Sequence, residues 1–285
     1  MQKNHTKNLA LLFLATLFIS TSGVLGRYIA LPAEAIIFCR AILAVGFVFL
    51  YCKYKKIDLK IQALKDRFSI GVSGFLLGAH WVTYFYALKL SNVALGMLSL
   101  YTFPVITAFL EPLFTKQKIN TIHIFLAILV LVGVYILVPE FSLENNQLLG
   151  ILFGIISAFL YALRNLMIKR EVTKYNGSML MLYQLVIIVI FLSPTLLISD
   201  YTNVVSQIPF LVLIALLTTA IGHTLMVNSF QHFSVTTTSI ISSVQPIFGI
   251  IMAFIFIDEI PTFNVYIGGS LILLTVIIES LRSKQ

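Results

Sequence analysis

Charge is what this sequence has least of. Of its 285 residues 11% are Asp, Glu, Lys or Arg, against 59% hydrophobic, and the mean hydropathy is +0.99. That leaves too little polar surface to clothe a soluble domain of this length, so the natural solvent is lipid. Cysteine is scarce as well. Cys39 and Cys52 cannot build a disulfide framework, and each lies in or beside an apolar run, where a thiol packs as a small hydrophobe. The sequence has no GxxxxGK[ST] run, which excludes a Walker-type ATPase. HExxH is absent, and Gly71-Val72-Ser73-Gly74 is not a GxSxG elbow, so a membrane-embedded hydrolase lacks both metal ligands and nucleophile. No cofactor or metal site is expected. The longest polar stretch between apolar runs, Lys53 to Arg67, is too short for the soluble domain of a sensor or scaffold. The net charge of +8 is spread between apolar runs instead of forming a stripe, which argues against nucleic acid.

What is present is a rhythm. Crossing the hydrocarbon core takes about 20 apolar residues. Such runs lie near 9–27, 33–52, 68–88, 92–114 and 120–138, then 148–168, 177–198, 209–230, 235–257 and 262–281. The first follows the basic MQKNHTKN as in a signal peptide, but it is too long for one and shows no small-x-small cleavage site, so it reads as a span. Runs such as Ile122 to Val138 are apolar on every side, unlike barrel strands. The expected fold is an all-α integral membrane protein of ten transmembrane helices.

The runs come five and five, about 142 residues apart, with the polar stretch 140–147 between them. Residues 1–145 and 146–285 therefore read as two five-helix repeats. Setting Pro104 on Pro246 brings Val93 onto Val235, Phe114 onto Phe256 and Lys116-Gln117 onto Asp258-Glu259. Five is odd, so the second repeat crosses the membrane in the opposite sense, and inverted repeats are the scaffold of alternating access. Basic residues test this topology, because short cytoplasmic loops accumulate them. With both termini cytoplasmic, the inner segments hold 15 Lys and Arg, the outer loops only Arg27 and Lys89, and Arg40 and Arg164 lie inside spans.

An ionisable group at the bilayer centre costs roughly 2.5–3.5 kcal/mol on insertion scales, so each needs a partner, a watery cavity or a task. At 1.5 Å per residue, Arg40 lies about 10 Å below the outer surface and Arg164 about 24 Å from it. Arg40 has two readings: pairing at the outer surface with Glu34 or with the counterpart region of Glu111, or a functional role. Arg164 has three readings: snorkelling beside Lys169 and Arg170, pairing with Glu111 at similar depth, or holding a substrate carboxylate or phosphate. Glu111 in turn suits an amine or a coupling proton. His80 and His223 occupy nearly equivalent mid-span places, where an imidazole can line a cavity or pass a proton. Trp81, Tyr84, Tyr101, Tyr161, Gln184 and Gln245 complete the candidate substrate-binding set. His80 and Trp81 lie about 18 Å from the inner end, too deep for an interfacial belt.

Ser91-Asn92-Val93-Ala94 leading into Tyr101-Thr102-Phe103-Pro104-Val105, and in the second half Gly150-Ile151-Leu152, Ala158-Phe159-Leu160-Tyr161-Ala162, Gln245-Pro246-Ile247 and Asp258-Glu259-Ile260-Pro261, resemble the EamA family of the drug/metabolite transporter superfamily. The family's acid after the fourth helix is Glu259 in the second repeat, while the first has Gln117 there. The resemblance implies a secondary transporter, not an enzyme. It would move a small metabolite, amino acid or drug-like compound across the cytoplasmic (inner) membrane, as an exporter. Uptake by the same fold is the nearest alternative; a membrane-embedded enzyme or sensor is the alternative from another class. The expected partners are the lipid bilayer, a small-molecule substrate and, for coupling, protons; a monomer and a homodimer are both compatible.

Overall fold

The structure, a computed structural model, describes residues 2–115, 121–137, 142 and 144–282. The Lys116-Gln117 turn and Glu140 lie outside the described residues. Among the described residues all regular structure is helical. The first half comprises α1 (Gln2–Tyr28), α2 (Ala33–Tyr54), α3 (Leu64–Leu90), α4 (Val93–Leu100), α5 (Phe103–Thr115) and α6 (Thr121–Leu137). The second comprises α7 (Asn146–Glu171), α8 (Gly177–Leu192), α9 (Thr195–Ile198), α10 (Val204–Leu213), a π-helix (Ile214–His223), α11 (Thr224–Ser229), α12 (Val235–Ser242), α13 (Gln245–Ile257) and α14 (Phe263–Arg282). Seven helical stretches are long and apolar enough to cross a membrane, counting α4–α5, α8–α9 and α10–α11 as one each. Three further apolar helices, Ile124–Leu137, Gln245–Ile257 and Phe263–Thr275, are shorter.

The fourth run of each half is not one kinked helix but two helices. The first breaks at Tyr101-Thr102 and the second at Ser243-Val244, and every boundary of α12 and α13 lies 142 residues after its counterpart in α4 and α5. The prolines explain the position. Pro104 and Pro246 are each the second residue of the new helix, where a missing N–H goes unnoticed and φ is already set. At the first break the last-turn carbonyl of Ser99 accepts from the Thr102 amide at 3.3 Å and from Thr102 Oγ1 at 2.8 Å, while Ser99 Oγ bonds back to Leu95 O at 2.7 Å. A different irregularity lies in the eighth run. The π-helix has wider turns than an α-helix, and His223 stands one residue beyond the position equivalent to His80.

The halves interleave. The most extensive packing joins α3 to α7, α6 to α14, α1 to the π-helix and to α13, and α2 to α8. Small residues permit it, because lipid tails give no hydrophobic drive and helices gain by close approach. Gly74 and Gly78 on α3 lie against Ile187 and Ile188 of α8. Gly133 on α6 faces Gly268 on α14, where an added Cβ would come within 2.6 Å of the Gly133 carbonyl. Gly268→Val should therefore wedge α6 from α14 and cost about 1–3 kcal/mol. A lower midpoint of thermal unfolding in detergent would show it; an unchanged midpoint would mean the two helices are free to part.

Candidate functional site

The two breaks meet at a central cavity. Tyr101 and Phe103 reach it from the first break and Gln245 from the second. Around them stand Ile19 and Ser22 of α1, Arg40 of α2, His80, Trp81 and Tyr84 of α3, Leu100 of α4, Tyr161 of α7 and His223 of the π-helix. The cavity is nearly shut, at about 20 Å³, room for about one water. A larger groove of about 920 Å³ lies between the α2–α3 connection and Tyr183 and Ile187 of α8. It is open and borders no cluster of buried unpartnered polar groups, so the central cavity is the stronger candidate.

Its walls are ordered by rings. His80 stacks on Tyr161 at 4.4 Å between centroids, and Phe103 meets Tyr161 edge-on at 5.0 Å. Trp81 lies 5.1 Å from the His223 ring. Ser157 fixes His80. Its hydroxyl donates to His80 O at 2.8 Å, so the ring must present Nδ1–H to Ser157 Oγ at 2.7 Å. Arg40 is 1% exposed. Its guanidinium lies 4.1 Å above the Trp81 ring, a cation–π contact, and its Nε donates to Thr219 Oγ1 at 2.5 Å. Of seven buried side-chain polar atoms with no hydrogen-bond partner among the described residues, four belong to residues lining this cavity: Arg40 Nη2, Trp81 Nε1, His223 Nδ1, and Tyr84 Oη, which faces Ser22 without a well-formed hydrogen bond; the others are Arg164 Nε, Glu171 Oε2 and Thr224 Oγ1. Buried polar groups are normally satisfied, so such a cluster marks where a ligand would supply the partners.

Of the ten side chains chosen from sequence, seven line the cavity: His80, Trp81, Tyr84, Tyr101, Tyr161, His223 and Gln245. Arg164 and Gln184 stand behind it. Arg164 Nη2 donates to Gln184 Oε1 at 2.5 Å and Nη1 to Asn165 Oδ1 at 3.0 Å, while Gln184 Nε2 continues to Ser73 Oγ at 2.8 Å. With 0% exposure, Arg164 does not snorkel: it is turned inward to Gln184, away from the exposed face of α7 that carries Leu152, Ile156 and Phe159. Nor does it pair with Glu111, which is half-buried on α5 within electrostatic range of Lys169. Arg40 does not pair with Glu34 either: that carboxylate accepts from Tyr86 and Ser199, each at 2.9 Å. Ser22, Ile19 and Leu100 carry no sequence signal beyond their place in apolar runs, and Phe103 is marked only as part of the Tyr101–Val105 segment. Among the described residues no group of three His, Cys, Asp or Glu could hold a metal ion.

The EamA-like transporter family matches this sequence twice, over residues 6–138 and 148–281. The chain belongs to that family. Two curated relatives, the Pseudopaline exporter CntI of Pseudomonas aeruginosa strain UCBPP-PA14 and that of strain PAO1, are each 23% identical over 256 residues, covering 90% of this chain and 88% of the relative. A solved crystal structure shares the fold over 98% of both chains, with a TM-score of 0.73 at 15% identity. The protein is thus an EamA-family transporter and a multi-pass membrane protein.

In this EamA-family member both ends of the bundle are tied across the halves. At one end Glu259 accepts from Arg27 Nε at 3.1 Å through Oε1 and from Val93 N, the first helical amide of α4, at 2.8 Å through Oε2. Asp258 makes this possible: its left-handed backbone (φ 54°) ends α13 and turns the chain back. Arg27 also donates to the Leu88 and Lys89 carbonyls, closing the end of α3. At the other end Asp66 of α3 accepts from Lys174 at 2.8 Å and from Tyr175 at 2.7 Å, both in the α7–α8 connection. The carboxylate holds the Lys174 ammonium above its ordinary pKa.

Proposed function

We propose that this chain is a secondary transporter that exports a small amphipathic metabolite, amino acid or drug-like compound by alternating access. One observation carries the reading: a buried polar cavity built from both halves, at the point where the two equivalent helices break. Broken helices at a repeat interface place backbone and side chains on the substrate while leaving each half able to rock as a body. The repeats are residues 1–145 and 146–285, making ten crossings in inverted order. The charge bias puts both termini in the cytoplasm, so the Arg27–Glu259 tie closes the outer end and the Asp66–Lys174 tie the inner end. Each tie joins one repeat to the other and must break in turn.

His80, Trp81, Tyr84, Tyr101, Tyr161, His223 and Gln245 are the proposed substrate contacts. Arg164 and Gln184 brace them from behind, and Glu111 beside Lys169 belongs to the inner part of the path. Export is favoured because both curated relatives carry the name of exporters. The membrane is proposed to be the cytoplasmic one. Purified protein in liposomes, given labelled amino acids and small metabolites on either side, should show saturable flux of at least one compound, accelerated by the same compound on the opposite side. Folded protein that moves nothing across such a panel would contradict transport.

A further inference from the structure

We infer that the substrate is an organic anion whose carboxylate sits on Arg40. The inference rests on the transport reading above and adds the charge of what is carried. Two guanidinium groups, Arg40 from the first half and Arg164 from the second, are fully buried at or directly behind the cavity. The charges of both act on His80 and on His223. Among the described residues no carboxylate pairs with either. Each acid that could serve is engaged elsewhere: Glu34 with Tyr86 and Ser199, Asp66 with Lys174 and Tyr175, and Glu259 with Arg27 and the α4 N-terminus. Glu111 lies within electrostatic range of Lys169.

A buried cation without a counter-ion is costly, and a site holding two of them attracts anions and repels amines. The two differ in what they leave open. Arg164 donates through both terminal nitrogens to Asn165 and Gln184 and lies outside the cavity lining, with only Nε unpartnered. Arg40 spends Nε on Thr219 and rests its face on Trp81, leaving Nη2 unpartnered at the cavity wall. A planar guanidinium edge matches a carboxylate. The donor atoms beside it, Trp81 Nε1 and Tyr84 Oη, are also unpartnered and can meet the second oxygen or a neighbouring acceptor. The Tyr161 and Phe103 rings then take the apolar body. A carboxylate of this kind is larger than the present cavity, so it enters as the halves separate and the walls close on it.

Trp81 is the chain's single tryptophan, so its fluorescence reports this site directly. The test titrates the purified full chain with cyclohexanecarboxylate, cyclohexanecarboxamide and cyclohexylamine, three probes of one shape that do not absorb where tryptophan is excited. The expected result is a saturable change with the carboxylate and at least tenfold weaker responses to the amide and the amine. Arg40→Gln should weaken the carboxylate at least tenfold, with Arg40→Lys in between. Should Arg40→Gln fail to fold, the wild-type series decides alone. Equal binding of amide or amine, no saturable response to the carboxylate, or wild-type affinity in folded Arg40→Gln would overturn the inference. Liposome flux separates the two readings. Flux confined to neutral or cationic compounds sinks the anion and leaves transport standing, whereas saturable carboxylate binding without any flux keeps the anion site and sinks transport.

Discussion

Glu259→Ala should open the outer end of the molecule and raise access to the central cavity from that side about tenfold. The carboxylate does two things at once. It pairs with Arg27 and it caps the first amide of α4, at 3.1 and 2.8 Å. The ion pair is part exposed, 36% at Arg27 and 22% at Glu259, so about 0.2–1 kcal/mol is a fair share for it. Asn92 still caps α4, but losing the charged acceptor of the Val93 amide costs about 1 kcal/mol more, and the positive end of the α4 dipole would no longer face a charge. The sum, about 1–2 kcal/mol, is borne only by the state closed at this end, and 1.4 kcal/mol is tenfold in population. The readout is the labelling rate of a Ser22→Cys variant by an impermeant thiol reagent added outside, with Cys39→Ser and Cys52→Ala removing the native thiols. An unchanged rate would show that the pair holds nothing shut.

Arg164→Met should lower transport at least tenfold and cost about 1–3 kcal/mol of stability, because it leaves Gln184 Oε1 and Asn165 Oδ1 buried without their donor. The two effects have different causes and can be parted. Replacing both ends of the bond with apolar groups of similar shape restores most stability. The double variant Arg164→Met with Gln184→Leu should therefore regain part of its thermal midpoint, Asn165 Oδ1 still lacking its donor, but none of its flux, since the charge behind Tyr161 and His80 is still missing. Flux returning together with stability would reduce Arg164 to packing.

Why some of this was legible and some was not follows from the physics of each segment. Hydropathy reports burial in lipid, so the helical runs and their rhythm can be read from composition alone. Pro104 and Pro246 mark the fourth run of each half, and a proline says where a helix can begin anew, but not that the chain turns before it. There the Thr102 amide and hydroxyl both turn back onto the Ser99 carbonyl. The π-helix leaves no mark in sequence, because Ile214–His223 reads as ordinary apolar helix. Depth counting placed Arg40 near the surface and beside Glu34. Depth along a helix does not give its face, and these helices are apolar all round, so nothing in the sequence points Arg40 toward Trp81. Arg164 fails as a snorkelling residue for the same reason: it lies on the inward face of α7, away from the exposed Leu152, Ile156 and Phe159. The aromatic and histidine residues of α3 were legible because polar groups that deep have few other uses.

The central claim is that the cavity between the two helix breaks opens to each side in turn. Gln245→Cys in the cysteine-free background places a thiol on that wall, and labelling can be compared in right-side-out and inverted vesicles. The account predicts labelling from both sides, with modification from either side stopping flux. A thiol reached from one side only, or modified without loss of flux, would contradict it.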